Sequence, residues 1–149
     1  MTIPDDIAAF LGRHTRVFLL TRRRDGAPTI HPMTAFFADG RVTMTTYRKS
    51  AKARNVERDD RAACLVVNGY GKDDVRAVLV RGRGRLRQAT LAALPAAERP
   101  SSTAADTDPH PKVSDDVTAR VAARMASGKR IFLDVEPDRV DGVQRLRTD

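Results

Sequence analysis

The sequence predicts a mostly β protein, a small antiparallel barrel with a few helices, and three observations lead to this class. Asp25-Gly26 and Asp39-Gly40 each separate two strand-like runs, and such dipeptides are typical of tight hairpin turns. Further short apolar runs follow, without the regular alternation of strands and helices that a parallel sheet requires. The chain has 149 residues, so we expect a single domain over residues 1–149.

The first part of the chain reads as a short helix followed by a three-stranded meander. The helix is predicted over residues 4–11, and the strands over residues 15–21, 28–37 and 41–47. Pro32 lies within the second strand and has no N–H group to donate. That strand is therefore predicted to lie at an edge or to carry a bulge.

The second part contains a helix that begins after Ser50, further strands and a late helical segment. Ser50 has the side chain of a good N-cap, and the "AKARNVERDD" that follows consists mainly of helix formers. Residues 104–112 carry Pro, Asp and Thr with little that can be buried, and are predicted to be mobile. The remaining predicted elements are strands over residues 62–67 and 75–86, a helix capped by Ser114, and a last strand over residues 129–135 that ends at Glu136-Pro137.

Composition and charge limit the function classes. Lys and Arg number 27 against 19 Asp and Glu, a net charge of +8 that favours an anionic partner. Aromatic residues make up only 5%, which is poor material for base stacking, so no nucleic-acid partner is expected. No apolar run approaches the ~20 residues of a membrane span. The single cysteine, Cys64, lies in an apolar run and is predicted to be a buried strand residue in a reducing, cytoplasmic protein.

Several catalytic and metal-binding patterns are missing from the sequence. The histidines His14, His31 and His110 have no metal-ligand spacing, and we expect no metal site. There is no G-x-S-x-G elbow and no Walker lysine motif. An enzyme with this sequence is therefore expected to rely on a bound cofactor.

The segment "SAKARN", Ser50 to Asn55, predicts an anion-binding helix start or, alternatively, a solvated connector. The first turn of a helix has free N–H groups and a partial positive charge. Ser50 adds a hydroxyl group and Lys52 an ammonium group. A phosphate at this position would meet several complementary donors.

The stretch "DGAPTIHPM…ADGRVTMTTYRKSAKARNVERDDRAACLVV" resembles the pyridoxamine 5′-phosphate oxidase-like, flavin-binding split β-barrel family. The resemblance is good over residues 13–84 and weaker at "RIFLDVEPDRVDGV". It implies an FMN-binding-like split β-barrel of about six antiparallel strands. It also implies a homodimer with two cofactor sites at the interface.

The resemblance further implies which residues contact the cofactor. One strand would line the ring, the next would approach the ring or the ribityl chain, and the helix start would hold the phosphate. The implied cofactor-binding residues, in that order, are His31, Pro32, Met33 and Thr34; Thr45 and Thr46; Ser50 and Lys52; and, close by, Arg54 and Asn55.

Within the superfamily, "KARNVERD" and "RIFLDVEPDRV" are most similar to the deazaflavin (F420)-dependent branch. FMN-dependent members often have an arginine where this chain has His31. The resemblance therefore implies an F420-dependent oxidoreductase that transfers hydride to an unsaturated or quinone-like small molecule. The alternatives are an FMN-dependent oxidoreductase and a non-catalytic carrier of either cofactor. Arg81, Arg83, Arg85 and Arg87 share one predicted strand face, either as a cationic rim or as a solvated face.

Overall fold

A computed structural model describes residues 1–68, 74–95 and 115–146, and these residues form a closed antiparallel barrel. The strand order is β1-β2-β3-β6-β5-β4, with β4 pairing back to β1. The predicted fold class is confirmed. The elements, in chain order, are α1 (Asp5–Arg13), β1 (Arg16–Arg22), β2 (Pro28–Ala38), β3 (Arg41–Tyr47), α2 (Ala51–Arg58), β4 (Arg61–Val67), β5 (Val75–Gln88), a 3₁₀-helix (Leu91–Ala93), α3 (Asp115–Ala126) and β6 (Arg130–Leu146).

Both predicted hairpin turns are present, and their backbone explains their sequences. Gly26 has a φ of 86°, and Asp39 and Gly40 have φ values of 52° and 73°. Glycine and aspartate are among the residues that adopt this left-handed region at least cost. The Asp25 carboxylate also accepts a hydrogen bond from the Ala27 N–H at 3.0 Å. The turns are thus fixed by residues within the turns themselves.

The main hydrophobic core fills the barrel, and α1 packs against one part of it through Ile7, Phe10 and Leu11. Cys64 belongs to this core, is fully buried, and confirms the predicted strand cysteine. Burial raises the pKa of the Cys64 thiol to about 12, which keeps it protonated at neutral pH.

A second, smaller core lies on the outer surface of the barrel wall. Phe132 and Met125 are its centre, and Phe36 and Val121 pack against them. Phe132 and Leu133 are adjacent in β6 and both fully buried, so the wall is covered on both faces here. The helix α3 therefore brings its own residues close to the outer faces of β2, β3 and β6.

The last strand is longer than predicted. The sequence predicts that it ends at Glu136-Pro137, but β6 continues to Leu146. The ladder between β5 and β6 shifts register between Arg81 and Gly82, and Gly82 lies opposite Pro137. At such a bulge one residue is left out of the ladder, so a proline without an N–H group is tolerated.

The four arginines between Arg81 and Arg87 of β5 form an ion-paired outer face. Three of them are exposed, and each contacts a carboxylate. Arg81 pairs with Asp141 at 2.8 Å, Arg83 with Asp60 at 2.7 Å, and Arg85 with Glu136 at 3.0 Å. Arg87 pairs with the buried Asp134, which also accepts a hydrogen bond from Thr43. Their charge is therefore largely neutralised, which favours the solvated-face interpretation over a cationic rim.

Two sequence predictions lie outside the described residues. These are the Ser114 cap before α3 and the mobility expected for residues 104–112. Gly128, which follows α3, has the positive φ (75°) expected of a glycine after a helix.

Candidate functional site

The barrel is closed, but β2 and β3 pair over only part of their lengths. The ladder between these strands covers only Ala35–Ala38 against Arg41–Met44. Before Ala35, β2 pairs with β1 but not with β3. After Met44, β3 pairs with β6 but not with β2. The two strands therefore separate, leaving what we call the opening: residues 31–34 along one side and residues 45–47 along the other. Pro32 lies on this free side, as the edge prediction required.

The start of α2 lies next to the opening and is built as predicted. The Ser50 hydroxyl accepts a hydrogen bond from the Ala53 N–H at 3.3 Å, so Ser50 is the N-cap. The same hydroxyl lies 3.1 Å from the Thr46 hydroxyl of β3. This contact fixes the helix start against the strand. The Lys52 side chain, in the first turn, is half-buried and has no carboxylate partner among the described residues.

His31 lies on β2 close to the helix start. Its Nδ1 atom is buried and has no hydrogen-bond partner in the described structure. Its pKa is lowered, first because burial disfavours the imidazolium ion and second because of the positive charge of Lys52. The neutral imidazole is therefore the form present at neutral pH. A buried ring nitrogen close to an ammonium group that has no carboxylate partner in the described ranges suits an anionic ligand.

We expect His31 to make folding stability pH-dependent. In the unfolded chain its pKa is the ordinary one of about 6.5. Below that pH the unfolded chain binds a proton at His31. The folded protein binds this proton only at a lower pH, because the pKa of its His31 is lowered. Stability is thus lost as pH falls through about 6.5.

Urea unfolding at about pH 7.5 and about pH 5.5 measures this loss. The parent should lose more stability between the two conditions than His31→Gln, which cannot titrate. The same loss in both proteins would show that His31 is not responsible.

Asn55 lies between α2 and the β1–β2 hairpin. Its side-chain N–H group donates to the Thr21 hydroxyl at 3.1 Å, and Arg58 donates to its carbonyl at 2.9 Å. Thr29 completes this cluster, 2.9 Å from Thr21. Asn55 is buried, and its amide is committed to holding α2 on the barrel.

Asn55→Ala should therefore destabilise the fold. It leaves buried polar groups without partners, which costs about 1–3 kcal/mol. Chemical denaturation measures the change, with Glu57→Ala, an exposed position on the same helix, as the control. Unchanged stability would show that the cluster contributes little.

The outer side of the opening is a separate pocket of about 280 Å³. Thr34 and Thr45 are its polar lining from β2 and β3, and Phe36, Val121 and Met125 are part of its apolar lining. Met33, by contrast, packs against the main core inside the barrel. The predicted ring-contacting residues are thus divided between the two faces of the wall.

Arg130, at the start of β6, also lines this pocket, and the sequence patterns did not single it out. It donates to the Thr45 hydroxyl at 2.9 Å, while its buried Nε–H has no partner in the described residues. In the sequence it is one arginine among many. Only α3, packed over the wall, places it in a pocket.

A third feature is a groove of about 490 Å³ beside the helix start. Arg54 lines it, together with Lys49 and Lys129, and none of the three has a carboxylate partner in the part of the chain that the structure describes. Glu57, also in the groove, pairs with Arg48 at 3.2 Å. The groove therefore carries an excess of positive charge.

A larger cavity, about 590 Å³, lies elsewhere, at the β1–β2 hairpin and the end of α2. Its charges are mostly paired; Asp59, for example, binds both Arg61 and Arg22. The Arg61 hydrogen bond lowers the pKa of Asp59 to about 2. These contacts join the hairpin to the helix and leave little unsatisfied charge for a ligand.

Neither a metal cluster nor a membrane-spanning helix is found within the described ranges. Over residues 1–68, 74–95 and 115–146, no group of three His, Cys, Asp or Glu residues is placed to hold a metal ion. No helix in this part of the chain is long and apolar enough to cross a membrane.

Comparison with solved structures agrees with the barrel. A conserved hypothetical protein from Mycobacterium tuberculosis is 25% identical, with a TM-score of 0.63 over 94% of this chain and 83% of that one. An F420 reductase is 19% identical, with a TM-score of 0.63 over 93% and 98% of the two chains. A FAD-binding protein from Mesorhizobium loti is 15% identical, with a TM-score of 0.58 over 96% of each chain.

No curated protein sequence matches the chain significantly. The sequence profile of the pyridoxamine 5′-phosphate oxidase family, however, matches residues 3–144, which is nearly the whole chain. The profile match and the six-stranded barrel agree with the resemblance seen in the hairpins and the helix start. The chain therefore belongs to the pyridoxamine 5′-phosphate oxidase family.

Proposed function

We propose that this protein is an oxidoreductase that binds the deazaflavin F420 at the opening and reduces an unsaturated or quinone-like small molecule. The observation that carries the proposal is the helix start. There an N-capped first turn and the buried His31 Nδ1 lie close to the Lys52 ammonium group, which has no carboxylate partner in the part of the chain that the structure describes. Such an arrangement suits a phosphate group.

Each part of the opening has a role in this proposal. Lys52 and Ser50 bind the phosphate, and His31, as a neutral imidazole, lies close to it. Pro32 and Thr34 line one side of the ring, with Thr45 on the other side. When bound, the deazaflavin supplies the two-electron hydride chemistry, while the protein binds, orients and shields the reacting groups from water.

The cationic groove favours F420 over FMN. F420 carries a phosphodiester, a lactate and a glutamate tail, and so has more negative groups than FMN. Lys49, Arg54 and Lys129 lie beside the helix start without carboxylate partners among the described residues, where such a tail could be neutralised. The similarity of the fold to an F420 reductase supports the same choice.

Parallel titrations with F420 and with FMN test the proposal. The chain has no tryptophan, so the cofactor's own fluorescence must report binding. We expect tighter binding of F420, and expect Lys49→Ala and Lys129→Ala to reduce this preference. Tighter binding of FMN would favour the FMN-dependent alternative, and binding of neither would refute the proposal. Turnover with a panel of enones and quinones then separates an enzyme from a carrier.

We also propose that the protein is a homodimer through the outer apolar face of the barrel. Ile30 is 61% exposed, and its cross-strand neighbour Leu20 is only half-buried. On the same face, Leu65 lies opposite Phe18 on one side and Leu79 on the other. A contiguous apolar surface of this kind marks an interaction site.

Light scattering tests the dimer at micromolar concentration. We expect a dimer for the parent and a monomer for Ile30→Asp, with Arg139→Asp as a control for the added negative charge. A monomeric parent that still binds the cofactor tightly would contradict the proposal.

A further inference from the structure

The pocket on the outer side of the opening contains an arginine with an unused donor. The Arg130 guanidinium is half-buried, and its Nε atom is buried without a hydrogen-bond partner in the described structure. Another nitrogen of the same guanidinium donates to the Thr45 hydroxyl. A buried donor without a partner costs roughly 1–3 kcal/mol, which a ligand could recover.

Arg130 also differs from the other arginines of the barrel wall in its electrostatic surroundings. Arg81 and Arg87 both meet carboxylates, on β6, whereas no described carboxylate pairs with Arg130. The Tyr47 ring centre lies 5.5 Å from the guanidinium carbon of Arg130. Arg124 donates to the Tyr47 hydroxyl at 2.8 Å, so this hydroxyl already has a cationic partner. The positive charge of Arg130 is therefore not neutralised by the described part of the protein.

The rest of the pocket lining combines two threonines with apolar side chains. Thr34 and Thr45 are the polar members, and Phe36, Leu94, Val121 and Met125 are apolar. The volume of about 280 Å³ lies just below the range of roughly 300–1,000 Å³ that is typical of ligand pockets. Apolar surroundings strengthen the attraction between a guanidinium ion and a negative oxygen. The shape and chemistry suit one or two fused rings that carry a single negatively charged or electron-rich oxygen.

We propose that Arg130 is a specificity-determining residue that binds the oxyanion or carbonyl oxygen of a flat, apolar ligand in this pocket. Thr45 positions the guanidinium, and Nε–H is left to donate to the ligand. Two sources share this chemistry: the unsaturated carbonyl compound that is reduced, or the carbonyl end of the cofactor ring. This role of Arg130 rests on the proposed function, because it concerns the ligand class of the proposed site. The binding test of Arg130 needs no cofactor.

The test is a titration of the cofactor-free protein with 2-naphthoate, with the neutral 2-naphthamide as a second probe. NMR of isotope-labelled protein follows the Arg130 Nε–H signal, which should shift as the carboxylate binds. Arg130→Gln should weaken naphthoate binding by about 10- to 100-fold and naphthamide binding by less. Arg130→Lys should restore only part of the affinity, because lysine lacks the planar pair of donors.

The controls separate binding from folding. Arg81→Gln removes an exposed arginine of the same barrel and should leave naphthoate binding unchanged. Thr45→Val keeps the Arg130 guanidinium and should weaken naphthoate binding only slightly. This variant tests the pocket even if Arg130→Gln fails to fold. Equal naphthoate affinity in the parent and in Arg130→Gln, or no shift of the Nε–H signal at saturation, would overturn the proposal.

A final titration on protein loaded with F420 or FMN identifies the source. Retained naphthoate binding that still depends on Arg130 would assign the pocket to the molecule that is reduced. Displacement of naphthoate by the cofactor would assign Arg130 to the cofactor ring. Both results support the role of Arg130.

Discussion

Gly82→Ala should strongly destabilise the barrel, because the added Cβ atom has no room. A Cβ atom at this position would lie 1.8 Å from the Glu136 carbonyl oxygen and 2.7 Å from its carbonyl carbon. Both atoms belong to the backbone, so no side-chain rotation can relieve the clash. Overpacking costs typically 1–3 kcal/mol, and a clash with backbone should reach about 3 kcal/mol or more.

The expected result is a large loss of the free energy of unfolding, or failure to recover folded protein. Gly142→Ala is the matched control because it also lies in the β5–β6 region and has nothing within 4 Å of its added Cβ. Circular dichroism with urea measures both variants. Equal stability of Gly82→Ala and Gly142→Ala would show that the bulge relaxes freely.

Lys52→Ala should weaken cofactor binding by roughly 10- to 150-fold. A hydrogen bond to a charged group contributes about 1.5–3 kcal/mol, and each 1.4 kcal/mol is about tenfold in affinity. Lys52→Glu should weaken binding further, because it places a negative charge beside the phosphate. The stability of the cofactor-free protein should change little, because no described carboxylate depends on Lys52.

Fluorescence titration with F420 and with FMN measures these affinities. Arg139→Ala, which removes an exposed positive charge from β6, is the control and should bind as the parent does. Ser50→Ala should weaken binding less than Lys52→Ala and cost about 1 kcal/mol of stability, since Ser50 caps the helix. If Lys52→Ala binds both cofactors as tightly as the parent does, the helix start is only a connector.

Features that depend on near neighbours in the chain could be predicted from the sequence. The turns at Asp25-Gly26 and Asp39-Gly40 require left-handed backbone, and the residues that adopt it lie in the turns. The Ser50 cap needs only the N–H group of Ala53, three residues later. The burial of Cys64 follows from the apolar run around it. From these features the hairpins, the helix start and the barrel class could be predicted.

Features that depend on distant residues could be seen only in the folded structure. The sequence cannot show that Pro137 is tolerated in β6, because that depends on a bulge opposite Gly82. The sequence cannot show that the Asn55 amide contacts Thr21 and Thr29, because that depends on the distant β1–β2 hairpin. Arg130 reads as a solvated arginine until α3 covers the wall around it. In each case the burial and hydrogen bonding of a side chain are set by residues far away in the chain, about which local sequence patterns carry no information.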